Sequence, residues 1–468
     1  METAIPAFVG YTEIDPGEVR KIKSMVEFEQ VFGGPRQTVT VTYSATEGTV
    51  TTTSIDSINV ASLGDYLYYA MLMFYANGGG DCYVCSAGTY GTAAVADFTD
   101  TTSSGPGALQ KIEKEDEPTM IVMPDAVSLG TTEFGTTVAA ALAQCGTLKD
   151  RFAIIDTQGT TSITSDSSAV RTAVGTQNLR YGGVYYPWLN TGLRYPDSAI
   201  KMAEGSLSTG DPAILTHLDG LTLAQVKDVV AGDFSVVNAN NGTDLSAADQ
   251  TLLRKETSNL LNLELQGIND TIAENTIQLP PSSSIAGVYA TVDRTRGVWK
   301  APANISLNNV ASLPVTITDD DQADMNVDTD GKSINAIRFF TGKGTLVWGA
   351  RTLAGNNNEW RYVPVRRLYI MAEESIKKAT EFVVFEPNDA NTWTRTRAMI
   401  ENFLNLLWRQ GALAGSTPEQ AYFVNVGLGE TMTPQDILEG RLIIEIGMAA
   451  VRPAEFIILR FSHKLQES

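Results

Sequence analysis

The sequence Phe456-Ile457-Ile458-Leu459-Arg460-Phe461, close to the end of the chain, has the most apolar strand pattern of the protein. A second β-rich run, Leu-Ile-Ile-Glu-Ile at residues 442–446, precedes it. Little chain remains after Phe461 to supply partner strands. The final strand therefore either joins the sheet of another molecule or is a central strand that closes the chain's own sheet. The periodicity leaves both interpretations open.

The composition excludes several classes of protein. The chain has 468 residues, 43% of them hydrophobic, and the length indicates two to four domains with substantial cores. There is no run of 18 apolar residues and no basic segment before an apolar one at the start, so we predict neither membrane insertion nor a secretory signal. Three cysteines cannot form a disulfide framework, and we predict structural cysteines in a reducing compartment.

The negative charge is concentrated in the first three quarters of the chain. Residues 351–468 contain 13 Lys and Arg and 14 Asp and Glu, a net charge of −1, whereas residues 1–350 have a net charge of −19. The acidic part repels nucleic acid and anionic membranes, so we predict no nucleic-acid partner. The nearly neutral last quarter can pack against other protein with less repulsion. The charge distribution therefore predicts an assembly with one buried face.

Local patterns predict a mixed α/β chain. Strand-like residues 120–123, helix-like residues 135–148 and strand-like residues 152–155 indicate βαβ alternation. Residues 38–58 alternate Val and Thr and predict a hairpin. Residues 205–280 are rich in Asn, Asp, Thr and Ser, contain a helical stretch near 251–265, and indicate an inserted surface module. Residues 319–331 are predicted to be an acidic loop.

No motif predicts catalysis, a metal site or a cofactor. The glycines at 78–80 end a helix and precede a strand, whereas a phosphate-binding loop opens a helix. The run 326–331 resembles the start of a calcium loop, but Ile337 stands where the loop needs a bidentate Glu. Two distant histidines make a hydrolytic triad improbable.

A basic amphipathic helix is predicted at residues 395–409. Its apolar stripe comprises residues 399, 400, 403, 404, 407 and 408, and its flank carries Arg395, Arg397 and Arg409, with only Glu401 opposing them. One interpretation is a core helix with solvated arginines. The other is a docking helix whose cations meet an acidic partner.

Several longer motifs resemble the tail sheath proteins of contractile phages and phage-like injection systems. The resemblance is almost continuous over residues 285–468, is patchy over residues 1–90, and does not extend to residues 205–280. The motifs that carry it are Gly-Thr-Leu-Val-Trp-Gly-Ala-Arg-Thr-Leu at 344–353, Tyr-Val-Pro-Val-Arg-Arg-Leu at 362–368, Phe-Glu-Pro-Asn-Asp at 385–389, Val-Arg-Pro-Ala-Glu-Phe-Ile at 451–457, Ile-Ala-Gly-Val-Tyr-Ala at 285–290, Arg-Gly-Val-Trp-Lys-Ala-Pro-Ala-Asn at 296–304, Thr-Ala-Ile-Pro-Ala-Phe-Val-Gly at 3–10 and Asn-Gly-Gly-Gly at 77–80.

The resemblance implies a structural, non-enzymatic subunit of a contractile sheath. Six subunits form a ring around an inner tube, rings stack into a helical polymer, and contraction drives the tube through a target envelope. The implied partners are other copies of the chain, the inner tube protein, and baseplate and tail terminator proteins. The implied place is a phage tail or phage-like particle that is assembled in the bacterial cytoplasm. The arginines of the docking helix would then face the tube.

The implied fold is a multi-domain protomer of mixed α/β (α+β) class. Its C-terminal α+β domain bears a terminal strand arm, residues 456–461, and its inserted domains face outward. The predicted divisions are 1–35, a strand and helix packing with the core; 36–60, a β-rich insertion; 61–204, an α/β domain; 205–280, an outer surface insertion; 281–350, a return to the α/β core; and 351–468, the tube-facing C-terminal sheath domain.

One feature departs from the family. Its members usually begin with an extended arm before the Ala-Ile-Pro-Ala-Phe segment, and here Met1 lies three residues before Ala4. Three interpretations stay open: the chain is truncated, its start is assigned too late, or subunits are linked only through the C-terminal arm.

Two alternatives to the sheath hypothesis stay open. A surface adhesin or capsid-like module would use the Asn/Asp-rich insertion at 205–280 for recognition. A carboxylate-based hydrolase would use the α/β body, but the sequence offers no candidate pair of acids.

Overall fold

The computed structural model of the chain describes residues 2–47, 51–100 and 105–455. These residues form a mixed α/β protein, as predicted. The strands are β1 (Pro6–Thr12), β2 (Arg20–Ile22), β3 (Val39–Thr46), β4 (Thr52–Val60), β5 (Cys82–Thr89), β6 (Met120–Val122), β7 (Phe152–Ile155), β8 (Gly182–Tyr186), β9 (Leu189–Thr191), β10 (Ile200–Leu207), β11 (Gln278–Leu279), β12 (Ile305–Ser306), β13 (Val310–Ser312), β14 (Ile334–Phe340), β15 (Gly344–Val347), β16 (Tyr422–Asn425) and β17 (Glu445–Met448).

The helices connect and cover these strands. The α-helices are α1 (Met25–Phe32), α2 (Leu67–Ala76), α3 (Val95–Thr99), α4 (Ala108–Glu113), α5 (Thr131–Leu148), α6 (Ile163–Ala173), α7 (Leu223–Ala231), α8 (Ser235–Asn241), α9 (Ala247–Glu274), α10 (Ser282–Arg296), α11 (Asp319–Asn326), α12 (Val363–Ala379), α13 (Ala390–Arg409), α14 (Pro418–Ala421) and α15 (Pro434–Leu438). Short 3₁₀ helices span Pro124–Ser128, Leu179–Tyr181, Asp197–Ala199, Asp211–Leu218 and Glu381–Val383.

The α/β body is built on one nine-stranded sheet. Its strand order is β12-β15-β14-β8-β7-β6-β1-β5-β2. The six strands β5, β1, β6, β7, β8 and β14 run parallel, and antiparallel strands complete both edges. Strands β1, β6, β7 and β8 are buried along their whole length, because helices cover both faces. The βαβ alternation predicted around residues 120–155 is confirmed.

Helices form a layer on each side of this sheet. Helices α2 and α10 pack against each other and contact β1, β6 and β7. Helices α4, α5 and α6 form a contiguous set that contacts β1, β5 and β7. This doubly wound arrangement buries an apolar core that includes Phe8, Phe74, Ile121, Ile154 and Tyr289.

A smaller sheet joins two distant segments of the chain. The predicted hairpin is present as β3 and β4, and β10 adds to β3 in parallel. Helix α9, which is longer than the helical stretch predicted near 251–265, contacts β4 and the 3₁₀ helix Asp211–Leu218. Residues 36–60 and 200–274 thus meet in one layered unit. The division of the chain into domains stays a prediction.

Two local predictions were wrong. The supposed acidic loop begins with α11, because the Thr318 side chain accepts a hydrogen bond from the backbone N–H of Asp321 and the Asp321 carboxylate accepts one from the N–H of Thr318. Three aspartates in the first turn also suit the positive end of the helix dipole. The strand predicted at 442–446 is β17, which begins only at Glu445.

Residues after 356 build a second, separate hydrophobic core. Helices α12 and α13 and strands β16 and β17 contribute to it, together with Val298 from the turn after α10. Its buried members are Val298, Leu368, Met371, Ile400, Leu404, Leu407, Ala412, Leu413, Ala421 and Val424. The C-terminal part therefore has its own packed interior, as a domain does.

Candidate assembly surface

Helix α13 is positioned by an N-cap and an apolar stripe. The Asp389 side chain accepts a hydrogen bond from the backbone N–H of Thr392 at 2.9 Å, which fixes the start of the helix. Ile400, Leu404 and Leu407 are buried in the second core, so the predicted apolar stripe is present. The stripe holds β16 against the helix through Val424, which lies opposite Ile446 of β17.

Strands β16 and β17 form a two-stranded antiparallel sheet. Within residues 2–47, 51–100 and 105–455, no third strand joins it; an isolated bridge links Leu413 to Ala450 beyond the end of β17. A two-stranded sheet is marginally stable by itself, and its edges present backbone groups that can pair with an added strand. This sheet is therefore a candidate acceptor for a strand from another chain.

The three predicted docking arginines do not share one face of α13. Arg395 and Arg409 are exposed and lie 14 residues apart, which is close to four full turns and brings them to similar sides of the helix. Arg397 lies on another side. Its Nη2 atom donates to the carbonyl oxygen of Val426 at 2.7 Å and to Oε2 of Glu430 at 2.5 Å. Arg395 and Arg409 thus share a side of the helix but lie about 21 Å apart along its axis, whereas Arg397 is half-buried and bound within the domain.

An exposed apolar loop lies beside Arg395. Phe382, Val384 and Phe385 are exposed after α12, and the guanidinium of Arg395 stands 5.7 Å from the ring centre of Phe382. Phe385 has a φ of 69°, a left-handed conformation that is unusual for a bulky residue. Adjacent exposed apolar side chains of this kind mark protein-binding surfaces more often than solvent-facing loops.

Hydrogen bonds to Arg351 and Tyr362 fix the position of Glu455, which follows the second core in the chain. The guanidinium of Arg351 donates to both carboxylate oxygens of Glu455, each at 2.7 Å, and Tyr362 donates to the same carboxylate at 3.0 Å. Burial, followed by the Glu455 charge, raises the pKa of Tyr362. Arg351 is only 4% exposed and also donates to the Asn326 carbonyl oxygen at 2.9 Å. Glu455 is the last described residue before the predicted strand arm.

The predicted strand arm itself lies outside the described residues. Phe456, Ile457, Ile458, Leu459, Arg460 and Phe461 all fall in this part of the chain. Their pairing with a neighbouring molecule stays a prediction.

A buried ion pair joins the second core to the α/β body. Arg367 of α12 donates to both oxygens of Asp293 in α10, at 3.0 and 2.7 Å, and to the carbonyl oxygen of Thr3 at 2.8 Å. Its guanidinium also lies 4.6 Å from the ring centre of Tyr289. Neither this role nor that of Arg351 was predicted from the sequence. A signal was available, because two arginines inside the apolar run at 363–368 indicate buried, paired charges.

Metal-ligand clusters and membrane-spanning helices were both sought among the described residues. Among them no group of three or more His, Cys, Asp or Glu side chains could hold a metal ion. No helix in the described part of the chain is both long and apolar enough to cross a membrane.

Comparison with known proteins identifies the family. Residues 356–464 match the phage tail sheath C-terminal domain family. A solved structure of the PVC sheath complex of an extracellular contractile injection system, in the contracted state, is 30% identical with a TM-score of 0.64; the match covers 99% of this chain and 92% of that one. A chain of the anti-feeding prophage baseplate is also 30% identical, with a TM-score of 0.65, and the match covers 99% and 94% of the two chains.

A curated relative agrees with these structures. The tail sheath protein of Vibrio phage KVP40 is 23% identical over 184 residues, which is 39% of this chain and only 26% of that protein. The match thus spans about a quarter of the phage protein, whereas it spans nearly all of the injection-system chains. Our chain belongs to the contractile tail sheath protein family. These findings favour the sheath hypothesis over the adhesin alternative.

Proposed function

We propose that this protein is a structural, non-enzymatic subunit of a contractile sheath that polymerises as stacked hexameric rings around an inner tube. Contraction of the polymer drives the tube through a target envelope. The proposed partners are other copies of the chain, the inner tube protein, and baseplate and tail terminator proteins. The proposed place is a phage tail or phage-like particle assembled in the bacterial cytoplasm.

The observation that carries this proposal is the incomplete sheet of the C-terminal domain. Strands β16 and β17 are packed on α13, and no further strand within the described residues pairs with them. Arg351 holds Glu455 in place, and a strongly apolar run follows Glu455 directly in the sequence. An unfilled sheet together with a strongly apolar run in the same chain suits an exchange of strands between identical subunits.

The energy of such an exchange is sufficient to hold a polymer. A donated strand would form about five backbone hydrogen bonds, each worth roughly 0.5–1.5 kcal/mol net. Each buried side chain such as Ile457 or Leu459 would add roughly 1.5–3 kcal/mol. Because the contact joins different surfaces of two copies and does not close on itself, it generates a helix. The folded bodies can then repack against one another while the strands stay joined.

The charge distribution supports the orientation of the subunit. We propose that residues 351–468, with a net charge of −1, face the tube, and that the predicted insertions at residues 36–60 and 205–280 face outward. Residues 205–280 contain ten acidic and three basic residues, so they suit contact with water rather than with like-charged copies. Placing the neutral domain inside lowers the repulsion between packed subunits.

The tube contact is assigned to one face of α13 and the adjoining loop. Arg395 and Arg409 are exposed cations, and Phe382, Val384 and Phe385 supply an apolar surface beside Arg395. An acidic, partly apolar strip on the tube would complement both features. Arg397 contributes by holding β16 and the Glu430 turn to the helix.

Electron microscopy of the purified chain and of two truncations tests the proposal. The complete chain should form striated sleeves or short polymers. Removal of residues 456–468 keeps the Arg351–Glu455 pair and should give a folded, soluble monomer. Removal of residues 462–468 alone spares the predicted strand and should still allow polymers.

Two results would contradict the proposal. If the longer truncation is unfolded or insoluble, the final strand belongs to the chain's own sheet. If the complete chain stays monomeric at all concentrations tested, the polymer hypothesis is wrong.

A further inference from the structure

The central sheet has the geometry that usually creates a ligand site. From β1 the chain passes to β5 on one side, and from β5 it returns to β6 on the other side of β1. The connections therefore diverge between β1 and β6. In open α/β sheets, ligands bind outside the carboxyl ends of the strands at such a switch point.

A side chain of the protein itself fills this position. Asp125 lies three residues beyond the end of β6 and is completely buried. Its Oδ2 atom accepts a hydrogen bond from the backbone N–H of Tyr11 at 2.6 Å, and its Oδ1 atom accepts from the N–H of Leu67 at 3.1 Å and from the N–H of Tyr66. These donors belong to the end of β1 and to the start of α2, where a bound anion would also find them.

The space around the carboxylate is closed. A Cβ atom at Gly10 of β1 would overlap Oδ2 of Asp125 and would lie 2.9 Å from Cβ of Leu67. Gly10 is therefore the residue that lets the carboxylate approach the strand. No second molecule could reach the three N–H groups while Asp125 occupies them.

Retaining a carboxylate here has a measurable cost. Burial raises the pKa of Asp125 to about 7, against the opposing effect of the three backbone hydrogen bonds. The charge of Asp65, a buried acid that pairs with Arg36, raises the same pKa. A neutral apolar residue would avoid this cost but would leave three buried donors unpaired.

We propose that the Asp125 carboxylate is an internal ligand that fills the anion site at the switch point of the α/β body. The site is complete in the native protein and takes no external ligand. When the carboxylate is removed, the same three donors and the vacated volume accept a small carboxylate such as formate or acetate. This inference concerns the α/β body and is independent of the proposed sheath function.

Chemical rescue of the complete chain tests the inference. The variant Asp125→Ala should unfold at a clearly lower temperature than the wild type at pH 8. Sodium formate should raise its unfolding temperature, progressively with concentration, relative to the same concentration of sodium chloride. The wild type and the variant Val122→Ala, which removes buried volume from β6 but no acceptor, should show no formate-specific shift.

Two further measurements keep the test decisive. If Asp125→Ala does not fold in chloride, the soluble fraction recovered on refolding in formate rather than chloride becomes the readout. Gly10→Ala should destabilise the wild type more than the Asp125→Ala background, because in that background the overlap with Asp125 is gone and only the close contact with Leu67 remains. Equal formate effects on all three proteins, no recovery in formate, or equal effects of Gly10→Ala in both backgrounds would each overturn the inference.

Discussion

At the scale of single residues, the buried charges of this protein explain features that hydrophobic packing leaves unexplained. Arg351, Arg367 and Asp125 are each nearly inaccessible to water, and each is satisfied by several hydrogen bonds. A buried charge is tolerated only when its partners are positioned in advance. Each of these residues therefore joins segments that are distant in the sequence.

Replacing Arg397 and replacing Arg395 should affect the stability of the C-terminal domain differently, so the two variants form a matched pair. Arg397→Ala should destabilise the C-terminal domain by about 1–2 kcal/mol, because the Val426 carbonyl and Glu430 lose a charged donor. Arg395→Ala should leave stability within about 0.5 kcal/mol, because its side chain is exposed. Urea unfolding measures both effects.

Charge reversal at the two exposed arginines separates stability from docking. Co-sedimentation with the inner tube protein should fall for Arg395→Glu combined with Arg409→Glu, which alter only exposed cations. Normal co-sedimentation of this double variant would remove the proposed role of the two arginines.

The pH dependence of stability should include a contribution from Asp156. Ser282 donates to this carboxylate from its backbone N–H at 2.8 Å and from its hydroxyl, and burial raises the pKa to about 7 from 3.8. The folded state then binds the proton more tightly than the unfolded state does. Stability from this group is fully present below pH 4 and is lost as the pH rises to about 7, by about 1.4 kcal/mol per pH unit at most.

The variant Asp156→Asn isolates this contribution. An amide can accept from the backbone N–H of Ser282 and donate to its hydroxyl, yet it does not titrate. Urea unfolding between pH 4 and 8 should show the wild type losing stability relative to the variant as the pH rises. A constant difference across this range would contradict the prediction.

At the scale of elements, the contrast between α12 and the β16–β17 sheet is informative. Helix α12 is fixed from both sides, through Arg367 to the α/β body and through Leu368 to the second core. The small sheet is packed on one side by α13, and within the described residues its edges carry no additional strand. We therefore propose that the helix supports the domain and that the sheet is the element that accepts a strand from a partner.

The Arg351–Glu455 pair should control how the strand arm leaves the domain. Glu455→Gln should destabilise the chain by about 2 kcal/mol, because a charged, bidentate hydrogen bond to a buried guanidinium is lost. Polymer formation should fall by more than this loss of stability explains, since the arm no longer starts from a fixed point.

A nearby glutamate provides the control. Glu445→Gln removes the same charge from an exposed position on β17 and should leave both stability and polymer formation almost unchanged. Equal assembly by the two variants would show that the pair has no role in directing the arm.

At the scale of the whole molecule, the net negative charge lies in a different part of the chain from the proposed assembly surfaces. Residues 1–350 have a net charge of −19, whereas the domain that carries the incomplete sheet and the basic face of α13 is nearly neutral. Contacts made by strands and apolar side chains persist in salt, whereas contacts made by exposed arginines weaken.

Salt should therefore separate the two kinds of assembly. Raising the ionic strength from 0.1 to 1 M shortens the screening length from about 10 to about 3 Å. Binding to the tube through Arg395 and Arg409 should decrease, while contacts between sheath subunits should persist or strengthen as repulsion between acidic bodies is screened. Turbidity and co-sedimentation measure these outcomes. Loss of the sheath polymer itself in salt would show that ion pairs rather than strands hold it.

The sequence by itself determined the class of fold and the family. Apolar runs such as Met120–Val122 and Phe152–Ile155, separated by a helical pattern, indicate βαβ units and hence a parallel sheet buried on both faces. The apolar stripe of α13 could also be predicted from the sequence, because helical periodicity is a local property. The sequence of α11 contains the capping box of Thr318 and Asp321, but its run of aspartates predicts a loop instead of a helix.

Only the tertiary structure decided which charges are structural and which are free. Arg397 and Arg395 are two residues apart and chemically identical, yet one is bound to Val426 and Glu430 and the other faces water. The roles of Arg351 and Asp125 depend on partners about 60 to 115 residues away. Periodicity records which side of an element is apolar, but hydrogen-bond partners across such distances are fixed by the packing of the whole chain.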